Sequence, residues 1–186
     1  MCTSEIFWDA REEPSIKLLP IDTRLHDDSL TYLKTTPTAW EKFKLNVYSP
    51  EEIKETLRKL IELKEVSKAQ AEELGLFDPQ DAVMLNQLAN TGLVKVPVWR
   101  HAIINFPHPL LKSGLVIIDI PGLNTLDSEP ELALNIIPNA HAVLYLTATD
   151  SGITAADMQV WNDFIKGRAK HTLTLVNKID MLWDDH

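Results

Sequence analysis

Two short motifs place a carboxylate directly after an apolar segment. Asp119 begins DIPG, which ends the apolar run that starts at Leu115, and Asp180 ends NKID at the close of HTLTLVNKID. Both apolar segments have the composition of strands, and in open α/β sheets ligands bind beyond the carboxyl ends of the strands. These two motifs are therefore the first candidates for chemistry in this sequence.

The DIPG motif has the residue types of a metal and phosphate site. A carboxylate at the tip of a strand can hold Mg²⁺ directly or through water. Gly122 follows Asp119 by three residues, and its backbone N–H can approach a terminal phosphate because glycine has no side chain in the way. The structural alternative is that Asp119 and Gly122 only shape a turn.

The NKID motif has the residue types of a site that recognises a base. The carboxylate of Asp180 can accept two hydrogen bonds from adjacent N–H donors, and guanine presents such a pair on one edge whereas adenine does not. We therefore expect Asp180 to select guanine. The structural alternative is that Asp180 only caps the segment that follows. Against this alternative, both motifs end separate apolar strands, and the metal and phosphate motif precedes the base motif along the chain, which is the order expected of a nucleotide site of this kind.

The second half of the chain predicts the elements that position these motifs. VPVWRHAIINF and LVIIDI predict two strands joined as a hairpin by the turn PHPLLKSG, with LVIIDI fully buried. HAVLYLTAT and HTLTLVNKID predict two more strands, and TAADMQVWNDFIKG predicts a helix between them with Thr154 as its N-cap. Apolar strands that alternate with helices predict an α/β fold with a mostly parallel sheet covered on both faces.

The first half of the chain has a different pattern. SEIFW and SIKLLPI, within residues 1–23, predict a pair of strands. Residues 24–94 are mostly helical in pattern. The clearest helix has Ser49 as its N-cap, Pro50 in its first turn and Gly75 just past its end. Its apolar residues recur at helical spacing, which we interpret as a packing face with a solvated charged back.

Composition limits the classes of function. The 186 residues, with 45% hydrophobic and 24% charged residues, are typical of one soluble globular domain. A net charge of -9 disfavours nucleic acid as a partner. The single cysteine, Cys2, cannot form an internal disulfide, and the sequence has neither a secretion signal nor a membrane-spanning apolar run. We therefore expect a cytoplasmic protein.

With these motifs the sequence resembles the GTPase domain of the dynamin superfamily, and of its bacterial dynamin-like members. DIPGLN is similar to the dynamin-type D-x-P-G, and LVNKIDMLWDD is similar to the fourth GTP-binding motif with its following loop. The resemblance covers roughly residues 1–8 and 95–186. It implies a P-loop-NTPase-like domain that binds GTP with Mg²⁺ and hydrolyses it to GDP.

The resemblance also implies roles for particular residues. Thr3 in CTSEIF matches the threonine of the second motif, which contacts Mg²⁺ and the γ-phosphate. Thr3 is therefore the expected catalytic residue, and Thr3 and Asp119 are the expected metal ligands. The expected nucleotide-binding residues are Gly122, Asn177, Lys178 and Asp180.

The sequence departs from the family pattern in three respects. No phosphate-binding loop of the form G-x-x-x-x-G-K-[ST] occurs in it, so we expect that loop to lie upstream in a longer protein and this chain alone to be inactive. Leu123 stands where small G proteins have a water-orienting glutamine, which implies that catalytic groups come from elsewhere, as in dynamins activated by dimerisation. Residues 24–94 are interpreted as a helical insertion within a single partial domain, 1–186.

Two functions remain open from the sequence. In the first, the complete protein is a GTP hydrolase that self-associates through its GTPase domain and makes peripheral contact with membranes through parts absent here. In the second, the chain is a non-catalytic GTPase-like interaction module with no nucleotide turnover. A phosphate loop encoded upstream of Met1 would favour the hydrolase.

Overall fold

The computed structural model describes residues 2–26, 28–120, 134–149 and 152–182. The chain divides into two compact units, Met1–Ser128 and Glu129–His186. Both units combine strands with helices, so the predicted α/β class is confirmed. The single domain over 1–186 and the boundaries of the insertion stay predictions.

The first unit contains a five-stranded mixed sheet. Its strands are β1 Thr3–Phe7, β2 Ser15–Pro20, β3 Glu41–Lys44, β6 Trp99–Asn105 and β7 Ile117–Asp119. Their order is β3-β2-β6-β1-β7, and within this sheet only β1 and β6 run parallel. The prediction of a mostly parallel sheet is therefore wrong for this unit. The other three neighbouring pairs, β2 with β3, β2 with β6 and β1 with β7, are antiparallel, and an alternation of helices with strands along the chain does not by itself fix strand direction.

The neighbours within this sheet differ from those that the sequence predicted. Strand β1 lies between β6 and β7, so that Ile6 has Ile104 on one side and Ile117 on the other. The predicted hairpin of β6 and β7 is therefore wrong, and β1 and β2 both pair with β6 instead of with each other. Periodicity identifies a strand, but it carries no information on which other strand satisfies its backbone hydrogen bonds.

Strand β7 is not the buried strand that its apolar run predicted. It is the last strand in the order of the sheet, and Leu115, Val116 and Ile117 are 43%, 53% and 48% exposed. Among the described residues β7 pairs only with β1, so one backbone edge and much of its apolar surface are uncovered. The main core of the sheet lies further along it, where Ile16 and Leu18 of β2 pack with Trp99, Ala102 and Ile104 of β6.

The region predicted as helical contains strands as well. Its helices are α1 Leu30–Lys34, α2 Pro50–Arg58, α3 Lys68–Glu73 and α4 Ala82–Thr91. Strands β4 Leu63–Ser67 and β5 Leu93–Pro97 form an antiparallel pair. A second core gathers around this pair, from Ile21, Val66, Ala71, Leu74, Leu76, Val94 and Val96.

The predicted helix from Ser49 to Gly75 has the right ends and the wrong middle. Ser49 Oγ accepts a hydrogen bond from the N–H of Glu52 at 3.4 Å, and Gly75 follows the last helical turn with a φ of +68°. Between these ends β4 replaces the helix, because Val66 is buried against the strand β5 and burial of this kind overrides helix propensity. The capping box of Ser67 and Gln70, which starts α3, is the sequence signal for a second helix.

The second unit contains a strand, helix and strand in the predicted order. Strands β8 Val143–Ala148 and β9 Thr172–Asn177 are parallel, and helix α6 Ala155–Val160 lies between them in the chain. Thr154 caps α6 through a capping box with Asp157, as predicted. A π-helical turn, Trp161–Ile165, extends α6. Earlier in the chain, a short helix α5 Pro109–Lys112 connects β6 to β7.

The two faces of the β8–β9 pair differ. On one face Tyr145 meets Trp161 edge to face, with 5.7 Å between the ring centroids. On the other face four leucines stand side by side, because the register pairs position 144 with 173 and position 146 with 175. These four side chains are all exposed and are called the leucine face: Leu144, Leu146, Leu173 and Leu175.

Within the described ranges, every helix is too short or too polar to span a bilayer.

Candidate functional site

The two predicted metal ligands lie at the same edge of the first unit's sheet. Strand β1 begins at Thr3, and the antiparallel strand β7 ends at Asp119, directly opposite Ser4. Strand pairing therefore brings together, within one sheet, two residues that are far apart in the sequence. This juxtaposition depends on β1 being the neighbour of β7.

The side chains of these two residues point in different directions. Residues opposite each other in an antiparallel pair share a face, so Asp119 shares its face with Ser4, and Thr3 points to the other one. The exposures agree, because Thr3 is 5% exposed whereas Asp119 is exposed to solvent. In this arrangement the Thr3 hydroxyl and the Asp119 carboxylate do not face a common ion.

Asp119 by itself has the properties of a Mg²⁺ ligand. Its carboxylate makes no hydrogen bond or ion pair with any residue that the structure describes, so its oxygens are available to a hard cation.

Burial raises the pKa of the neighbouring Cys2 thiol, and the negative charge of Asp119 raises it further. Cys2 is therefore a protonated, buried thiol and not a candidate nucleophile.

Thr3 lies instead beside a buried polar cluster. His101 of β6 is its partner in register and is only 1% exposed. The Nε2 atom of His101 is 3.1 Å from Oε1 of Glu5, and the same carboxylate forms an ion pair with Lys34 of α1. The rings of Trp40 and His101 meet nearly at right angles, with 6.0 Å between their centroids. The cluster fastens α1 to the sheet.

The sequence did not predict this cluster. Glu5 and His101 are separated by 96 residues, and they meet only because β1 and β6 pair in parallel. No sequence signal marked Glu5, because alternation along β1 places it on the face opposite Ile6, and Ile6 packs against the main core. Its partner could not be chosen without knowledge of the strand order.

The NKID segment forms a sharp turn at the end of β9. The strand ends at Asn177, and Asp180 belongs to the following 3-10 turn, Ile179–Leu182. Between them Lys178 has a left-handed backbone with a φ of +59°, and its N–H donates a 2.9 Å hydrogen bond to Oδ1 of Asn177. The side chains of Asn177, Lys178 and Asp180 are exposed, so each is accessible to a ligand.

The remaining predicted residue, Gly122, lies outside the described residues. Asp119 belongs to the first unit and Asp180 to the second. Among the described residues, no three histidine, cysteine or acidic side chains lie together in a group that could hold a metal ion.

The comparison with known families identifies the class of this chain. The family model of the Dynamin family matches residues 17–179, which is most of the chain and includes Asp119, Asn177 and Lys178. The chain therefore belongs to the dynamin family. Its members are in general GTP hydrolases with a GTPase domain of the P-loop class, and the resemblance stated from the motifs is confirmed.

A bacterial relative supports the same assignment. The chain is 31% identical over 106 residues to a bacterial dynamin-like protein of Nostoc punctiforme (strain ATCC 29133 / PCC 73102). The aligned part is 57% of this chain and 15% of that protein. The chain thus spans only a small part of the length of the relative that it matches.

Proposed function

We propose that this chain carries the metal-binding and guanine-binding motifs of a dynamin-type GTP hydrolase. One observation supports the proposal above the others: D-x-P-G and N-K-x-D each begin at the last residue of a strand, β7 and β9, in a chain that belongs to the dynamin family. Asp119 is the last residue of β7 and Asp180 lies in the turn after β9, and both carboxylates are exposed and so accessible to a ligand.

Each residue has a defined task in the proposed reaction. Asp119 would hold Mg²⁺, directly or through water, and the Gly122 backbone N–H would bind the γ-phosphate. A bound Mg²⁺ would neutralise charge on the phosphates during attack by water. Asp180 accepts the ring N–H and the exocyclic amine of guanine. Thr3 can join the metal ligands only after its side chain turns from the face that it occupies here.

The proposal extends to the complete protein. Leu123 has no polar group with which to orient water, so the missing catalytic groups come from self-association through the GTPase domain. The protein is proposed to be cytoplasmic and to reach membranes only peripherally, through parts other than this chain. The alternative, a non-catalytic interaction module, is favoured by one observation, the lack of G-x-x-x-x-G-K-[ST] in these residues.

Substitution of Asp180 tests base recognition. Asp180→Asn replaces one acceptor oxygen by an NH₂ donor. One hydrogen bond to guanine is lost, and the new donor lies opposite an N–H donor of the base. We expect GTP binding by the full-length gene product to weaken by about 2–4 kcal/mol. Xanthine has a carbonyl where guanine has its amine, so the variant should prefer xanthosine triphosphate.

The measurement is a competition titration of GTP against xanthosine triphosphate, with the wild-type protein and with Asp180→Asn. Asp163→Asn is a matched control, because Asp163 is an exposed aspartate of the same unit outside the motif. The control should leave the preference for GTP unchanged. If Asp180→Asn also leaves it unchanged, Asp180 does not contact the base and the proposed function loses its main support.

A further inference from the structure

The left-handed residue in the NKID turn requires an explanation. Lys178, with a φ of +59°, is the one non-glycine residue with positive φ in the described part of the chain. In this region the Cβ of an L-residue crowds the backbone, so such a conformation persists only where the surroundings impose it.

Thr149 supplies contacts that impose this conformation. It follows β8, and the register of Ala148 with Asn177 places it level with Lys178. The backbone N–H of Thr149 donates a hydrogen bond to the carbonyl oxygen of Asn177 at 3.3 Å. Its hydroxyl Oγ1 donates a shorter one, 2.7 Å, to the carbonyl oxygen of Lys178. One residue thus bonds to the two successive carbonyls at which the chain leaves β9.

These contacts hold the backbone that leads to Asp180. The N–H of Lys178 is held by Asn177 Oδ1 and its carbonyl by Thr149 Oγ1, so both peptide planes next to its Cα are fixed. The 3-10 turn that carries Asp180 begins at the next residue. A change in the φ and ψ of Lys178 would therefore redirect the Asp180 carboxylate.

We propose that Thr149 is a positioning residue for base selection by the NKID segment. The inference rests on the proposed function, because it requires that Asp180 contacts guanine. Two hydrogen bonds from one base edge need both carboxylate oxygens in line with their donors, since hydrogen bonds weaken steeply when bent. A redirected carboxylate that keeps its bond to the ring N–H but loses the one to the exocyclic amine cannot distinguish guanine from hypoxanthine, which lacks that amine.

The test measures the preference of the full-length gene product for GTP over inosine triphosphate. Thr149→Val keeps the shape of the side chain and removes the hydroxyl, whereas Thr149→Ser keeps the hydroxyl. We expect the valine variant to lose about tenfold in this preference, the effect of one hydrogen bond. The serine variant should retain it. Equal weakening of both nucleotides in the valine variant, or the same loss in the serine variant, would overturn the inference.

Asp180→Asn in the same assay distinguishes a failure of the proposed function from a failure of the role assigned to Thr149. If this substitution leaves the GTP preference intact, Asp180 does not select the base, and the proposed function fails together with the inference. If Asp180→Asn removes the preference and Thr149→Val does not, only the role of Thr149 is wrong. Thermal unfolding of each variant checks its fold, and Thr149→Ala replaces the valine variant should that one be unfolded.

Discussion

Glu5 is a buried carboxylate whose charge depends on two partners. Its side chain is 13% exposed and contacts His101 and Lys34. Burial by itself raises the pKa of Glu5, but the hydrogen bonds from His101 and Lys34 outweigh that effect and lower the pKa from 4.5 to about 2. The carboxylate is therefore ionised in the folded protein at any pH above this value.

This depressed pKa makes the stability contribution of Glu5 depend on pH. The contribution is complete above the unfolded pKa of 4.5 and is lost as the pH falls towards about 2. We expect Glu5→Gln to lower the free energy of unfolding by about 3 kcal/mol at pH 7. Urea denaturation at pH 7, 4 and 2.5 should show that this difference shrinks with each step towards acid.

Glu13→Gln is the matched control for this prediction. Glu13 pairs with Lys44 at 2.8 Å, but the two side chains are 67% and 78% exposed. Solvent screens such a pair, so its removal should leave the urea midpoint nearly unchanged. An effect of Glu5→Gln that has the same size at every pH would contradict the assigned partners.

The residues that could be identified from the sequence are those whose role is local. Asp119 and Asp180 were found because each belongs to a short motif at the end of a strand. The direction of the Thr3 side chain, and the contact of Thr149 with Lys178, depend on which strands are neighbours. Those contacts are set by tertiary pairing, so no local pattern predicts them.

At the scale of elements, the turn between β1 and β2 is held by one buried side chain. Asn105, at the end of β6, is 4% exposed. Its Oδ1 accepts a hydrogen bond from the N–H of Asp9 at 2.8 Å, and its Nδ2 donates to the carbonyl oxygens of Asp9, Glu12 and Glu13 at 3.1–3.3 Å. The connection between the two strands is therefore folded onto the strand that separates them.

Removal of this amide should destabilise the first unit. Asn105→Ala leaves several backbone groups of the turn without their buried partner, and we expect a loss of about 2–4 kcal/mol in the free energy of unfolding. Asn46→Ala is the control, because Asn46 is exposed and bonds mainly to the carboxylate of Glu52. Chemical denaturation of both variants provides the comparison. Equal effects of the two substitutions would mean that the Asn105 contacts do not hold the turn.

Sequence patterns predicted elements better than they predicted their arrangement. The strands on either side of residues 8–14, and the strand, helix and strand of the second unit, were identified because periodicity and capping are local properties. The helix over 49–75 was wrong at β4, where burial of Val66 outweighs a continuous helical pattern. The predicted strand pairings were wrong because alternation along a strand does not identify its neighbours.

At the scale of the whole molecule, the sequence lacks the groups that bind a triphosphate most strongly. In P-loop GTPases these are the backbone N–H groups and the lysine of the phosphate loop. We expect calorimetric titration of this chain with GTP and Mg²⁺ to show no saturable binding at micromolar concentrations. A GTPase domain that contains a phosphate loop is the positive control. A one-site micromolar isotherm from the chain alone would contradict the prediction.

The leucine face has a consequence for how the chain responds to different salts. At low ionic strength the net charge of -9 keeps copies apart. Chloride and sulfate at equal ionic strength screen this charge equally, but sulfate is also excluded from protein surfaces and so strengthens the burial of apolar groups. The extra light scattering in sulfate over chloride therefore reports exposed apolar surface, of which the leucine face is a part, separately from electrostatic repulsion.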